Sequence, residues 1–448
     1  MIRIPLKVWA LGATGLSLFL AYSAMGQQPR KVDDAALRNA VKSGEEWLSY
    51  GLTPGETRYS PLNQINATNA SRLGLAWSFE ITYGGGGNQE ATPLYSNGTL
   101  YSVTNWSIVY ALDARTGKEK WHWDPEVNQD KVRSKICCGV VHRGVAIYDG
   151  KIIAPIIDGR LVALDINTGK PVWETRVSYT QDNYTLTMAP RVAKGKVIIG
   201  AAGSEYPVRG FIAGFDAQTG RQAWKFYTVP GDPSKPFEDD AMKMAAATWD
   251  QAALKKYNGV GGSVWDSIAY DPDANLIYFG TGNAGPWPAA LRGAELKDNL
   301  FAASIVALDV DTGKYKWHFQ NVPSDTWDYD SVQQLLIADM TIRGQQRKVI
   351  MQANKNGFYY VLDRVSGKFI SGQPFAALNW AKGLDEATGR PIINKDAFYT
   401  ENESVAIIPG AGGAHNWSPM SYNPTTGLVY IPTSASGGMT YSLTPNFN

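Results

Sequence analysis

One motif recurs along this chain and limits what it can fold into: an apolar run ending in Asp, a Thr-Gly-Lys or Thr-Gly-Arg turn, and an aromatic residue. It stands at Tyr110–Trp121 (YALDARTGKEKW), Val162–Trp173 (VALDINTGKPVW), Ala213–Trp224 (AGFDAQTGRQAW) and Val306–Trp317 (VALDVDTGKYKW), with a degraded copy at Tyr360–Ile370 (YVLDRVSGKFI). Asp accepts bonds from backbone N–H groups ahead of it and Gly supplies a positive φ, so each copy reads as strand, tight turn, strand. The Asp positions 113, 165, 216, 309 and 363 lie 52, 51, 93 and 54 residues apart. The long interval is nearly two periods and holds a variant unit, Ile268–Gly280 (IAYDPDANLIYFG), whose pattern returns at Met420–Pro432 (MSYNPTTGLVYIP). A period near 50 residues with about four short strands is that of a β-propeller blade. The 45 Gly, 15 Trp and 23 Tyr, with few helical patterns, fit an all-β chain of many tight turns. Each repeat Trp is expected to pack between its own blade and the next.

The N-terminus reads as a secretory leader over residues 1–26. Arg3 and Lys7 precede an apolar run from Val8 to Ala21, and Ala24-Met25-Gly26 places small residues for cleavage before Gln27. That run is too short to favour a membrane span. Residues 27–448 are left as the functional domain. The formal charge is +1 with Lys and Arg scattered, so a nucleic-acid or anionic-membrane partner has no support. The four His, at 122, 142, 318 and 415, make no triad or metal spacing, which argues against a hydrolase.

The only two cysteines are adjacent, Cys137 and Cys138. A bond between them would enclose no loop and so would not staple the fold. Neighbouring Cα atoms sit about 3.8 Å apart, closer than relaxed disulfides prefer. The pair is therefore either two reduced thiols or a stiff, polarisable platform, and an oxidising compartment permits the second. Polar residues also cluster where the repeat does not require them: Glu90 in GNQEATP, Thr187 in TLTMAPR, Glu205 in AGSEYPVRG, Trp265 in GGSVWD, Asn283 in GTGN, three carboxylates in Asp325–Asp330 (DTWDYD), Lys355 in QANKNG and Asn416 in GGAHNW. Singly, each reads as a turn residue. Placed at strand ends, one or two per blade, they can converge at one end of a channel.

Taken together, the leader, the DxxTGKxxW blades, the vicinal cysteines followed by Arg143, and the segments QEATP, TGN, WDYD and NKNGFYYVLDR resemble the pyrroloquinoline quinone (PQQ) dependent alcohol dehydrogenases, an eight-bladed propeller family. The resemblance runs from about residue 33 to the end. It implies that a Cys137–Cys138 disulfide and Trp265 cover the two faces of the quinone, and that Glu90, Arg143, Thr187, Ser204, Ser263, Lys355, Asn416 and Trp417 surround it. It implies a metal held by Glu205, Asn283 and Asp328, oxygen donors that suit a hard cation such as calcium. Asp330 adds a carboxylate two residues on, which strand alternation returns to the same side. That position resembles the lanthanide-dependent branch, so a lanthanide is favoured and calcium is the alternative.

The implied reaction oxidises a primary alcohol to an aldehyde, with Asp328 as general base, hydride transfer to PQQ, and the metal as Lewis acid. Electrons would pass to a periplasmic cytochrome c, and a homodimer is possible. The chain departs from the family at Ser263, where Thr is usual, at Met188, expected to narrow the substrate cavity, and in the turn Ala201–Glu205. It ends at Asn448, where relatives continue for one to two more blades, so those blades are expected to be missing from it. No CxxCH occurs, so no haem site is expected in these residues. The competing readings are an exported propeller that only binds or assembles, and a PQQ sugar dehydrogenase; neither calls for the vicinal cysteines.

Overall fold

The computed structural model describes residues 31–82, 88–293, 296–434 and 437–444; the leader lies outside them. The repeat closes as its turn chemistry requires. In each copy the Asp Oδ1 accepts from the backbone N–H and the hydroxyl of the Thr or Ser three residues on, for Asp113, Asp165, Asp216, Asp309 and Asp363 alike. The following Gly holds φ between 68° and 72°. Each turn joins the third and fourth strands of a four-stranded antiparallel sheet.

Five such sheets are present among the described residues. They begin with strands Leu94–Ser96, Ala146–Tyr148, Arg191–Ala193, Ile268–Asp271 and Leu336–Ile342. They end with Glu119–Trp123, Pro171–Arg176, Gln222–Tyr227, Tyr315–Gln320 and Phe369–Pro374. First strands of neighbouring sheets touch, second with third, third with fourth and fourth with fifth, so they line an axis from which the sheets radiate as blades. The repeat tryptophans do join blade to blade. Trp121, Trp173 and Trp224 lie on Gly169, Gly220 and Gly313 of the next blade, where a Cβ would come within 2.6 Å of the ring. Their indole N–H groups donate to Ile166, Ala217 and Val310 carbonyls at 3.2, 3.2 and 3.0 Å. Gly is thus required here by both its φ and its neighbour.

The 93-residue interval is one blade with insertions rather than two periods. The Ile268–Gly280 unit forms the first two strands of the fourth blade, paired in register from Ile268 opposite Phe279. The extra length holds helices Asp240–Ala246 and Gln251–Tyr257, N-capped by Asp239 and Asp250. Its echo near the end forms the hairpin Ser421–Asn423 with Leu428–Tyr430.

The axis is closed by the N-terminal stretch. Tyr270, Ile337 and Tyr422 donate backbone N–H bonds to the carbonyls of Pro54, Gly55 and Thr57 at 2.9, 3.0 and 2.9 Å. The segment therefore runs along the free inner edges of first strands and satisfies groups that would otherwise be orphaned. Arg191 clamps it from below through a bidentate pair with Glu56, at 2.7 and 3.0 Å.

Candidate active site

Antiparallel order dictates where chemistry can gather. A strand that starts at one end of the channel puts the fourth-to-first and second-to-third connections at that end, and the Asp turns at the other. Every predicted site residue lies in one of those connections. Glu90, Cys137, Cys138, Arg143, Thr187, Ser263, Trp265, Asp328, Asp330, Asn416 and Trp417 precede first strands. Ser204, Glu205, Asn283 and Lys355 lie between second and third strands.

They enclose a cavity of about 410 Å³, within the range of small-molecule sites. Glu90, Cys137, Cys138, Arg143, Thr187, Glu205, Trp265, Asp328, Asp330, Lys355, Asn416 and Trp417 all line it. Ser204, Ser263 and Asn283 stand behind that wall. Ser204 Oγ and Ser263 Oγ are 2.5 Å apart, and the Asn283 backbone N–H donates to Asp330 Oδ1 at 2.8 Å. Met188 does not narrow the cavity. It alternates away from Thr187 into the core, where its sulfur accepts from the Gly200 N–H.

Cys137 and Cys138 are joined by a disulfide with Cα atoms 3.8 Å apart. Their sulfurs and a Glu205 carboxylate oxygen lie within 4.8 Å of one another. Arg143 is fixed on several sides. Its Nη2 lies 2.8 Å from Glu90 Oε2, and its Nη1 donates to Thr187 Oγ1 and the Trp265 carbonyl at 3.0 and 3.2 Å. The guanidinium stands 4.8 Å from the centre of the Trp265 ring. Burial pushes the Glu90 carboxyl up, and Arg143 opposes this.

Lys355 spans the acidic side, with Nζ 2.9 Å from Asp328 Oδ2 and 2.8 Å from Asp330 Oδ2. Burial works against its ammonium, but the two carboxylates outweigh it and hold its pKa above the ordinary lysine range. Burial pushes Asp328 well up, with Lys355 opposing and Asp330 adding. Glu205 is also raised, by burial and then by Asp330. Asp328 and Asp330 face the same way, though not by strand alternation. They sit in a loop in which Asp328 takes φ +66°, and that turn carries both to Lys355.

A metal fits this wall. Asn283 Oδ1 and Asp328 Oδ1 are buried with no hydrogen-bond partner among the described residues. Arg143 answers Glu90 and one Lys355 is shared between Asp328 and Asp330, so two carboxylates there face a single cation, and Glu205 adds another carboxylate to the cavity lining. All the donors are hard oxygens. The same lining offers polarisable sulfur, an indole and the cations of Arg143 and Lys355, the chemistry a flat polycarboxylate would need.

Several lining residues escaped the sequence reading, among them Lys135, whose Nζ donates to Asn183 Oδ1 at 2.5 Å, and Tyr206. So did Asp266, buried with Oδ2 3.9 Å from Arg143 Nε, and the Glu56–Arg191 pair beneath. Asp266 and Arg191 stood inside quoted segments, but nothing local marks them as other than turn residues. A second cavity of about 650 Å³ adjoins at Ser204, Glu205 and Tyr206 and is walled by Tyr257, Trp287 and Leu443.

Antiparallel blades around one cavity lined by a vicinal disulfide, an indole and oxygen donors define a propeller with a single asymmetric small-molecule site. Residues 47–373 match the PQQ family described as glucose/ethanol/alcohol dehydrogenase, beta-propeller domain, and the chain belongs to that family. It is 50% identical over 90% of its length to quinohemoprotein alcohol dehydrogenase ADH IIB of Pseudomonas putida, of which it covers 57%. The crystal structure of quinohemoprotein alcohol dehydrogenase from Comamonas testosteroni matches with a TM-score of 0.86 and 49% identity, over 90% of this chain and 59% of that one. A europium-containing methanol dehydrogenase matches with a TM-score of 0.82 and 35% identity, over 89% of this chain and 70% of that one. The chain thus spans less than two thirds of the first two relatives.

Proposed function

We propose that this chain is the PQQ-holding part of an exported alcohol dehydrogenase that oxidises a primary alcohol to an aldehyde in the periplasm and passes electrons to a cytochrome c. The observation that carries the reading is the joint presence, around one cavity, of the vicinal disulfide, the Arg143–Glu90 pair and the orphaned oxygens of Asn283 and Asp328. On this reading the five four-stranded blades among the described residues belong to an eight-bladed ring.

When bound, PQQ would supply the two-electron acceptor and a hard cation the Lewis acid that polarises it. Glu205, Asn283 and Asp328 would hold the cation, with Asp330 as the added charge that favours a lanthanide over calcium. The europium-containing relative supports that preference. Asp328 takes the hydroxyl proton, and its burial-raised pKa suits a group that must accept one. Lys355 orients that carboxylate, and the apolar recess of Tyr257, Trp287 and Leu443 would receive the carbon chain.

The test is PQQ affinity of the chain without residues 1–26, titrated with La³⁺ and separately with Ca²⁺. Tighter PQQ binding with La³⁺ is expected. Binding indifferent to both ions would refute the metal assignment, and no PQQ binding by the longest reading frame that contains this chain would refute the function.

A further inference from the structure

Two fully engaged, buried groups behind the cavity take no part in the chemistry above: Asp325 and Arg292, each 2% exposed. The Asp325 carboxylate accepts the backbone N–H groups of Trp327 and Tyr329, both at 3.1 Å to Oδ1, and so grips the chain on either side of Asp328. Asp328 needs that grip, because φ +66° is uncommon for a residue with a side chain. Trp327 and Tyr329 are 0% exposed and anchor the same turn through Ala397 and Pro409 carbonyls.

Arg292 ties this turn to a second loop. Its Nη2 donates to the Asp325 carbonyl, its Nη1 to the Pro286 and Trp287 carbonyls at 2.5 and 2.7 Å, and its Nε to Asn299 Oδ1 at 3.1 Å. Pro286 and Trp287 follow closely on Asn283, whose N–H returns to Asp330. The links close a circuit: Asn283, its loop, Arg292, Asp325, the Asp328 turn, Asp330, and Asn283 again. Only a planar fork with several donors can hold two loops at once in this way.

We propose that Asp325 and Arg292 are positioning residues that fix Asp328 against Asn283 and thereby set the ionic radius the site accepts. The inference rests on the metal reading above and goes beyond it, since it assigns ion discrimination to residues that touch no ion. A rigid frame discriminates by size, whereas a loosened one lets the oxygens follow any cation.

The experiment uses Tb³⁺ luminescence sensitised by tryptophan on the full chain, with La³⁺, Lu³⁺ and Ca²⁺ as displacing ions. Asp325→Ala and Arg292→Lys are expected to weaken Tb³⁺ binding by about tenfold to a hundredfold, the usual cost of losing a group that orients metal ligands. They are also expected to narrow the gap between La³⁺ and Lu³⁺. Asp325→Asn keeps one acceptor oxygen for both amides and should restore most of the affinity and the gap. Near-ultraviolet circular dichroism checks folding; if Asp325→Ala does not fold, Arg292→Lys, which keeps the charge, carries the test. Wild-type affinity and size preference in Arg292→Lys would overturn the inference while leaving the metal reading intact. No Tb³⁺ signal in the wild type would overturn the metal reading, and this inference with it.

Discussion

Replacing Lys355 by Met tests the charge balance of the site most directly. The Lys355 ammonium touches Asp328 Oδ2 and Asp330 Oδ2 at 2.9 and 2.8 Å, so these oxygens lie at most one such contact either side of it. Without the cation two nearly buried carboxylates face each other across roughly 5.5 Å, a repulsion of about 3 kcal/mol at an effective dielectric of 20. Removing one partner of a buried ion pair costs about 3–5 kcal/mol in general, and the two figures agree. The loss has a pH signature. Asp328 is already raised by burial, and losing Lys355 raises it further, so the folded chain binds a proton that the unfolded chain has released. Stability then falls as pH rises from the ordinary carboxylate range through the folded pKa. Urea unfolding of Lys355→Met in EDTA should show a deficit that is small at pH 5 and about 3–5 kcal/mol at pH 8, and La³⁺ should remove most of it. A deficit at pH 8 no larger than that of a surface ion pair, about 1 kcal/mol, would refute the claim that Lys355 holds an excess of negative charge in check.

Cys137→Ser with Cys138→Ser should leave urea stability nearly unchanged, because the bond encloses no loop. It should weaken PQQ binding about tenfold by freeing a platform that was ordered in advance, as read by fluorescence titration. Gly313→Val adds a Cβ 2.6 Å from Trp224 at φ +68° and should destabilise by more than about 2 kcal/mol, seen as a lower urea midpoint. His142 is held down at about 3, by burial and then by the Arg143 charge. The unfolded chain takes up its proton first, so stability should fall as pH drops from 6.5 toward 3, by about 3 kcal/mol at pH 4, and His142→Gln should flatten that slope.

The parts of this molecule that the sequence made legible are those governed by near neighbours. An Asp that bonds the residue three ahead, a Gly at φ near +70° and a Trp at fixed offset are local devices, and all five Asp copies of the turn form as read. The site residues were found as departures from that pattern, and twelve of them line one cavity. Spacing fails where the chain leaves the repeat. Asp328 and Asp330 converge through a left-handed turn rather than a strand, Met188 turns away from the cavity, and the 93-residue interval hides insertions instead of a blade. Partners far apart in sequence, such as Glu56 with Arg191 or Asp325 with Arg292, give no local signal at all.

Topology explains why pattern and chemistry separate so cleanly. The third-to-fourth turn must carry Asp to close it and Gly to receive a Trp, which comes from the blade before at Gly169, Gly220, Gly313 and Gly367 and from Trp77 at Gly117. Those turns lie at one end of the channel. The connections at the other end carry no such duty, so their residues are free to differ from blade to blade, and a single asymmetric ligand requires that they do. Conversely, the strap at Pro54–Thr57 lays backbone along the axis and satisfies inner strand edges. On the acidic side of the site Lys355, Asp328 and Asp330 are screened by little water, with side chains 4%, 12% and 4% exposed. There burial raises Asp328 and the two carboxylates raise Lys355, whereas in the exposed turns Asp113 and Asp216 are held below the usual carboxylate range, first by the Thr hydroxyls they bind.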